Sequence, residues 1–223
     1  MIRVDPRQFA DRREAGRALA DRLSGFAGAA PIVLALPRGG VPVGDEVARR
    51  LEAPLDVVLV RKIGALGQRE LAVGAVVDGS RPEIVLNQDV VAELGVTQDY
   101  IDRVAAEELA VIERRRKQWL ADRTFPSLAG RTVIIVDDGI ATGATMRAAI
   151  HAVRRSSPGR LVVAVPVGPP STICQIAAEA DEVVCLKMPE HFGAIGFFYR
   201  DFTQVEDAEV ARILAARKDK ARD

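Results

Sequence analysis

The chain has 223 residues, long enough for one domain, or one domain with a subsidiary lobe, built on a sizeable core. Lysine plus arginine and aspartate plus glutamate number 31 each, and this zero formal charge gives no support to a nucleic-acid-binding or membrane-surface protein. No apolar run approaches the roughly 20 residues that span a bilayer and Met1 to Arg7 form no signal-like apolar region, so a soluble cytoplasmic protein is expected.

Apolar runs alternate with amphipathic segments, the pattern of an α/β protein with a parallel sheet. Residues 11–26 carry Ala15, Ala18, Leu19 and Leu23 at helical spacing. Ile32 to Leu36 reads as a buried strand, and Pro37-Arg38-Gly39-Gly40 then opens a helix bearing Val43, Val47 and Leu51. In that turn the two glycines free the backbone for unusual dihedrals and leave room for an anion beside the N–H groups, while Arg38 adds a fork-shaped cation. Val57 to Val60 reads as a second strand, closed by Arg61 and Lys62. Leu71 to Val77 reads as a third, ending at the turn Asp78-Gly79-Ser80, and Ile84 to Leu86 as a short strand of the same excursion. Glu70 faces substrate or simply starts a strand, and both readings stand.

Residues 97–120 break the rhythm. Thr97 is placed to cap a long charged helix with Asp99 in its first turn, and Ile101, Val104, Ala105, Ile112 and Trp119 mark one apolar face. Arg114, Arg115, Arg116 and Lys117 crowd its last turns, either as a solvated basic end that suits the helix dipole or as cations reaching an anionic ligand.

Residues 133–145, Val-Ile-Ile-Val-Asp-Asp-Gly-Ile-Ala-Thr-Gly-Ala-Thr, are the most informative stretch. An uninterrupted apolar run reads as a buried strand, and two carboxylates sit where it ends, the place where open parallel sheets bind ligands. Asp137 and Asp138 can accept hydrogen bonds from a pair of sugar hydroxyls or hold a hydrated Mg²⁺ near them. Thr142, Gly143 and Thr145 offer N–H groups and hydroxyls to a phosphate at a helix N-terminus. The stretch therefore reads as a ribose-phosphate cradle.

A helix with Met146, Ala149, Ile150 and Val153 follows, then a strand from Leu161 to Val167, a helix near 171–180 and a strand from Val183 to Leu186. Cys174 and Cys185 stand alone in apolar surroundings and share no metal-ligand spacing with His151 or His191, so buried thiols are expected rather than a disulfide or metal site. Residues 189–202 are irregular and aromatic-rich, and the last residues are expected to fray.

The 133–145 segment resembles the signature of the type I phosphoribosyltransferases, which bind 5-phosphoribosyl-1-pyrophosphate (PRPP). The resemblance implies that family's fold: an α/β domain over 1–223 with a central, mainly parallel sheet flanked by helices. Its core would cover about 30–190, with a long helical insertion at about 87–124 and a small hood from about 187–205 plus N-terminal residues. It also implies a PRPP site made of Pro37, Arg38, Gly39, Gly40, Arg61, Lys62, Asp137, Asp138, Gly139, Ile140, Ala141, Thr142, Gly143, Ala144 and Thr145. Leu36 to Gly40 resembles the pyrophosphate loop of xanthine–guanine enzymes, where a peptide bond is often strained, so an unusual backbone is expected near Arg38 and Gly39. Arg61-Lys62 resembles a pair in adenine enzymes.

In this reading Asp137, Asp138, Arg38 and Lys62 are catalytic, and Mg²⁺ is held with PRPP, indirectly, by Asp137 and Asp138. Residues 64–72 or the insertion would supply a mobile loop, and a homodimer is expected. Pro189 to Phe202 resembles the hood of hypoxanthine–guanine enzymes, with Phe192 stacking on a base and Asp201 loosely matching a nearby acid; packing of the C-terminal segment is the other reading. Ala141 stands where those enzymes place an Asp, and no base-recognising Lys occurs around Val167 and Gly168. Taken together, Pro-Arg-Gly-Gly, Arg-Lys-Ile-Gly and the Asp-Asp segment resemble a group of uncharacterised bacterial phosphoribosyltransferase-like proteins. The implied activity is transfer of a phosphoribosyl group to a nitrogen of an unidentified acceptor. A PRPP-sensing module and a phosphosugar phosphorolase or hydrolase are the alternatives.

Overall fold

The computed structural model describes residues 8–66, 68–78, 82–121 and 125–218. Helix α1 (Arg12–Arg22) starts where the Asp11 carboxylate accepts the Glu14 N–H, and it runs on into a short 3₁₀ turn, Ser24–Ala29. Strand β1 (Ile32–Ala35) leads into α2 (Gly40–Arg50), and β2 (Leu55–Val57) follows. The chain then builds a three-stranded antiparallel sheet from β3 (Val60–Ala65), β4 (Gln68–Val77) and β5 (Glu83–Leu86). Two helices come next, α3 (Gln88–Leu94) and α4 (Gln98–Leu120), the second capped by Thr97, whose hydroxyl accepts the Tyr100 N–H as its sequence predicts. Strand β6 (Thr132–Val136), α5 (Ala144–Arg155), β7 (Arg160–Val167), α6 (Pro170–Ala177), β8 (Glu182–Lys187) and the terminal helix α7 (Asp207–Lys218) complete the order.

The main sheet is wholly parallel in the order β2-β1-β6-β7-β8. Its inner strands β1, β6 and β7 are apolar and buried apart from Thr132 and Arg160 at their starts, because both faces are covered. Val33, Ala35, Ile134, Val136, Val162 and Ala164 join a core with α2, α4 and α7. Their strand neighbours Leu34, Val133, Ile135, Leu161 and Val163 join a second core with α5 and α6. Helix α4 contributes Ile101, Ala105, Ile112 and Trp119 to the first core, so its predicted apolar face is a packing face.

Two expectations are corrected. The apolar run from Val57 to Val60 is not one strand: β2 ends at Val57, Val58 and Leu59 carry the chain out of the parallel sheet, and β3 begins at Val60. Val58 and Leu59 are buried, so apolar character continues across a change of sheet and periodicity does not register the break. Cys174 is exposed rather than buried, since Ile173 and Ile176 form the buried face of α6. Cys185 is partly buried with its thiol donating to the Lys187 carbonyl at 3.2 Å, and burial pushes its pKa up to about 11. The turn at Gly79 and Ser80, the Glu70 side chain and the end of the chain after Lys218 lie outside the described residues.

Candidate active site

The parallel strands deliver their loops to one end of the sheet, and the motif residues gather there. Asp137 and Asp138 follow β6, whose register beside β1 sets Val136 opposite Ala35. The loop after β1 therefore meets the loop after β6. A Cβ on Gly39 would overlap the Asp138 carboxylate, and one on Gly40 would lie 2.7 Å from the Val136 carbonyl oxygen and 2.9 Å from the Asp137 Cα. The two glycines thus admit the acidic pair. Gly39 itself has ordinary helical dihedrals, φ −61° and ψ −36°, which corrects the expectation that these glycines serve unusual backbone angles. The backbone irregularity lies one bond earlier, as a cis peptide between Pro37 and Arg38.

The second half of the motif is a loop closing on a helix N-terminus. Ile140 N–H donates to the Val167 carbonyl at 2.9 Å, and the Thr172 hydroxyl donates to the Ala141 carbonyl at 3.0 Å, pinning the loop to β7 and α6. Gly143 turns the chain into α5 with φ of +80°, a left-handed conformation that favours glycine. Ala141, Thr142, Ala144 and Thr145 are exposed, so the first turn of α5, which contains no acidic residue, faces solvent. Such a turn attracts an anion.

The carboxylates differ in their surroundings. Asp137 is partly buried and its Oδ1 accepts the Asp138 N–H at 2.8 Å. Asp138 is buried, its Oδ2 accepts from Arg12 Nε at 2.7 Å, and its carbonyl accepts the Tyr199 hydroxyl at 2.6 Å. Burial, followed by the charge of Asp138, holds the Asp137 carboxyl well above the usual carboxylate value. Burial raises Asp138 too, against the opposing charge of Arg12. The Tyr199 phenol is raised by burial and by Asp138, and so stays a neutral donor.

The predicted cations are less gathered. Arg38 turns toward the start of α7, with its Nη1 3.4 Å from Asp207 Oδ1 and 3.9 Å from Glu206 Oε2. Arg61 and Lys62 do not close a strand of the parallel sheet; they lie in β3, the first strand of the antiparallel sheet, where Arg61 Nε pairs with Glu108 Oε2 at 2.6 Å and Lys62 is exposed. Among the basic residues of α4, Arg116 donates to the buried Asp78 at 2.6 Å, a structural pairing. Phe192 is half-buried with its ring 5.5 Å from that of Phe198, and the exposed Asp201 accepts from the Thr203 N–H and hydroxyl in its own turn.

Residues 8–203 match the family described as the phosphoribosyl transferase domain. The chain belongs to that family. Over 207 residues it is 48% identical to a Mycobacterium tuberculosis H37Rv protein named "Putative phosphoribosyl transferase", a match that covers 92% of this chain and 46% of that protein. The counterpart in strain CDC 1551 matches equally. This phosphoribosyl transferase domain chain thus spans about half the length of the curated relatives it matches. It also superposes on a crystal structure from Thermus thermophilus with a TM-score of 0.82 and 46% identity, covering 94% of this chain and 98% of that one.

The donor set of this phosphoribosyl transferase domain bears on a metal. Among the described residues, no three His, Cys, Asp or Glu side chains converge as a metal cage. Asp137 and Asp138 supply two carboxylates, one of them already bound to Arg12. That suits a Mg²⁺ carried largely by substrate phosphates and water. Sequence reasoning did not single out Arg12, Tyr199 or the Glu206-Asp207 pair. Arg12 is one of several arginines in a charged helix, and nothing local marks it; Tyr199 lies inside the aromatic run but its hydroxyl's partner is 61 residues away.

Proposed function

We propose that this chain is a PRPP-dependent, Mg²⁺-assisted transferase that moves a phosphoribosyl group onto a nucleobase-like nitrogen acceptor and releases pyrophosphate. The observation that carries the reading is the adjacency of an acidic pair, Asp137 and Asp138, and an exposed helix N-terminus at Thr142 to Thr145, with the Gly39-Gly40 backbone packed against the pair. A ribose 5-phosphate needs both: carboxylate acceptors for its hydroxyls and N–H donors for its phosphate. In the reaction the bond from C1 of the sugar to a pyrophosphate oxygen breaks with its electron pair leaving on pyrophosphate, the acceptor nitrogen bonds to C1, and that nitrogen's proton passes to the departing pyrophosphate or to water. Charge grows on the departing pyrophosphate, so cationic stabilisation matters more than a strong nucleophile. Pro37, Arg38, Gly39 and Gly40 are assigned to pyrophosphate, together with Arg61 and Lys62. Mg²⁺, held with PRPP near Asp137 and Asp138, would neutralise pyrophosphate charge. Phe192 is assigned to the acceptor.

Incubation with PRPP, Mg²⁺ and a panel of nucleobases, following pyrophosphate release, tests the reading. Base-dependent release is expected, and Asp137→Asn with Asp138→Asn abolishes PRPP binding while the protein stays folded. A second reading, a PRPP sensor with little turnover, is favoured by the missing base-recognition features, with Ala141 for an Asp and no Lys around Val167 and Gly168, and by the engagement of Arg38 with Asp207 and Glu206. Measurable PRPP binding without release on any base selects it. A cytoplasmic homodimer belongs to the same proposal, and sedimentation analysis checks the dimer.

A further inference from the structure

Arg12 has no part in the site as read from sequence, yet its guanidinium meets three partners. Its Nε donates to Asp138 Oδ2 at 2.7 Å, its Nη1 donates to the Thr203 carbonyl at 2.8 Å, and its Cζ lies over the Phe202 ring, 3.9 Å from the ring centre. The Phe202 ring stacks 5.0 Å from Tyr199, whose hydroxyl donates to the Asp138 carbonyl at 2.6 Å. Only 11% of the Arg12 side chain and 10% of the Asp138 side chain remain exposed, so the pair is shielded from solvent competition. Side chain and backbone of one site aspartate are therefore gripped by residues from both ends of the described chain.

Attachment of α1 to the rest of the molecule does not explain this arrangement. That task falls to the buried face of α1, Ala15, Gly16, Leu19 and Ala20, and to ion pairs with α2, where Arg13 meets Asp45 at 3.3 Å and Glu46 at 3.2 Å. Arg12 instead points to the strand ends. A guanidinium with two donors committed to different acceptors and its face on an aromatic ring has a fixed orientation, and so does the carboxylate it holds. Lysine has a point charge and cannot meet all these contacts at once.

We propose that Arg12 is the positioning residue of the ribose site: it sets the rotation of the Asp138 carboxylate toward the sugar hydroxyls and couples that rotation to the aromatic segment Phe198 to Thr203. The inference rests on the function proposed above. Acting through Asp138, Arg12 serves the hydroxyls and not the phosphate, which binds at the start of α5.

Calorimetric titration with ribose 5-phosphate and with inorganic phosphate separates these contributions. The wild-type protein binds ribose 5-phosphate more tightly than phosphate. Arg12→Gln lowers ribose 5-phosphate affinity by roughly tenfold and leaves phosphate affinity within about twofold, while Arg12→Lys recovers part of the loss because charge without the fork is a partial substitute. Thermal melts establish that each variant is folded; should Arg12→Gln not fold, Arg12→Lys carries the same comparison, with a smaller loss confined to ribose 5-phosphate. A folded variant that binds ribose 5-phosphate like wild type, or weakens both ligands equally, overturns the inference alone. Wild-type protein that fails to prefer ribose 5-phosphate over phosphate overturns the proposed function and the inference with it.

Discussion

Arg217, near the end of α7, reaches Asp45 in the middle of α2: its Nε donates to Asp45 Oδ1 at 2.7 Å and its Nη2 to the Asp45 carbonyl at 2.7 Å. Both residues are buried, so the contact fastens the terminal helix across 172 residues of chain. Helix α7 also buries Val210, Ile213 and Leu214 in the first core, and its start carries the acids that meet Arg38. Arg217→Ala removes one partner of a desolvated pair, though Arg13 and Arg49 remain beside Asp45. A loss of about 2–4 kcal/mol is expected, at or just below the range for breaking buried pairs. Urea unfolding measures it, and a loss under about 1 kcal/mol would put this contact with ordinary surface pairs.

The same helix start restrains Arg38. Its Nη1 lies 3.4 Å from Asp207 and 3.9 Å from Glu206, in a trio where Arg38 and Asp207 are partly exposed and Glu206 is exposed. If Arg38 serves pyrophosphate as proposed, these carboxylates compete for the guanidinium and repel the incoming anion. Glu206→Gln combined with Asp207→Asn should tighten inorganic pyrophosphate binding by about two- to fivefold, the scale of a solvent-exposed pair. The gain should shrink as salt rises. Weaker pyrophosphate binding in the double variant would mean that the acids orient Arg38 rather than compete for it.

How far the site was legible in the sequence follows from the range of the interactions involved. The β6 strand, its acidic pair and the glycine entry to α5 are one local word, and local hydrogen-bond and packing demands suffice to read them. The buried strands and the Thr97 cap are legible for the same reason. Arg61 and Lys62 were misplaced because the unbroken apolar run Val57 to Val60 hides the change of sheet. At Gly39 and Gly40 the sequence points to unusual dihedrals, whereas their small size serves Asp137 and Asp138, about 100 residues away in sequence, and only strand order brings those loops together. Arg12 and Tyr199 were missed because their roles are set entirely by such distant partners.

The acidic pair predicts a pH dependence of the ligand-free protein. The Asp137 carboxyl lies well above its ordinary value of 3.8, chiefly through burial and then through the charge of Asp138. A carboxyl raised on folding binds more protons in the folded state than in the unfolded one across the interval between the two pKa values. Its contribution to stability is therefore greatest below the unfolded value and declines as pH rises from about 4 through the raised folded value. Asp137→Asn keeps the carbonyl acceptor for the Asp138 N–H but carries no charge. Above neutral pH it should be more stable than wild type by about 1 kcal/mol, or roughly 2–4 °C in Tm, with a flatter Tm against pH. Superimposable melting curves for the two proteins from acid pH to well above neutral would contradict this electrostatic origin of the pH dependence.

Gly40 offers a sign test for the packing of the two loops. It opens α2, where alanine is ordinarily better than glycine by about 1 kcal/mol in a helix interior. At this position, however, a Cβ would meet the Val136 carbonyl oxygen at 2.7 Å and the Asp137 Cα at 2.9 Å, both backbone atoms of the strand end that carries the acidic pair. Neither atom can move without displacing Asp137, so the steric cost outweighs helix propensity. Gly40→Ala should destabilise the protein by about 1–3 kcal/mol, as overpacking does in well-filled cores, and should weaken ribose 5-phosphate binding by shifting the carboxylates. Gly25→Ala is the control, because a Cβ there meets nothing within 4 Å. Chemical denaturation of the two variants decides the matter: a Gly40→Ala protein as stable as Gly25→Ala would mean that the loops after β1 and β6 are not in the contact that builds this site.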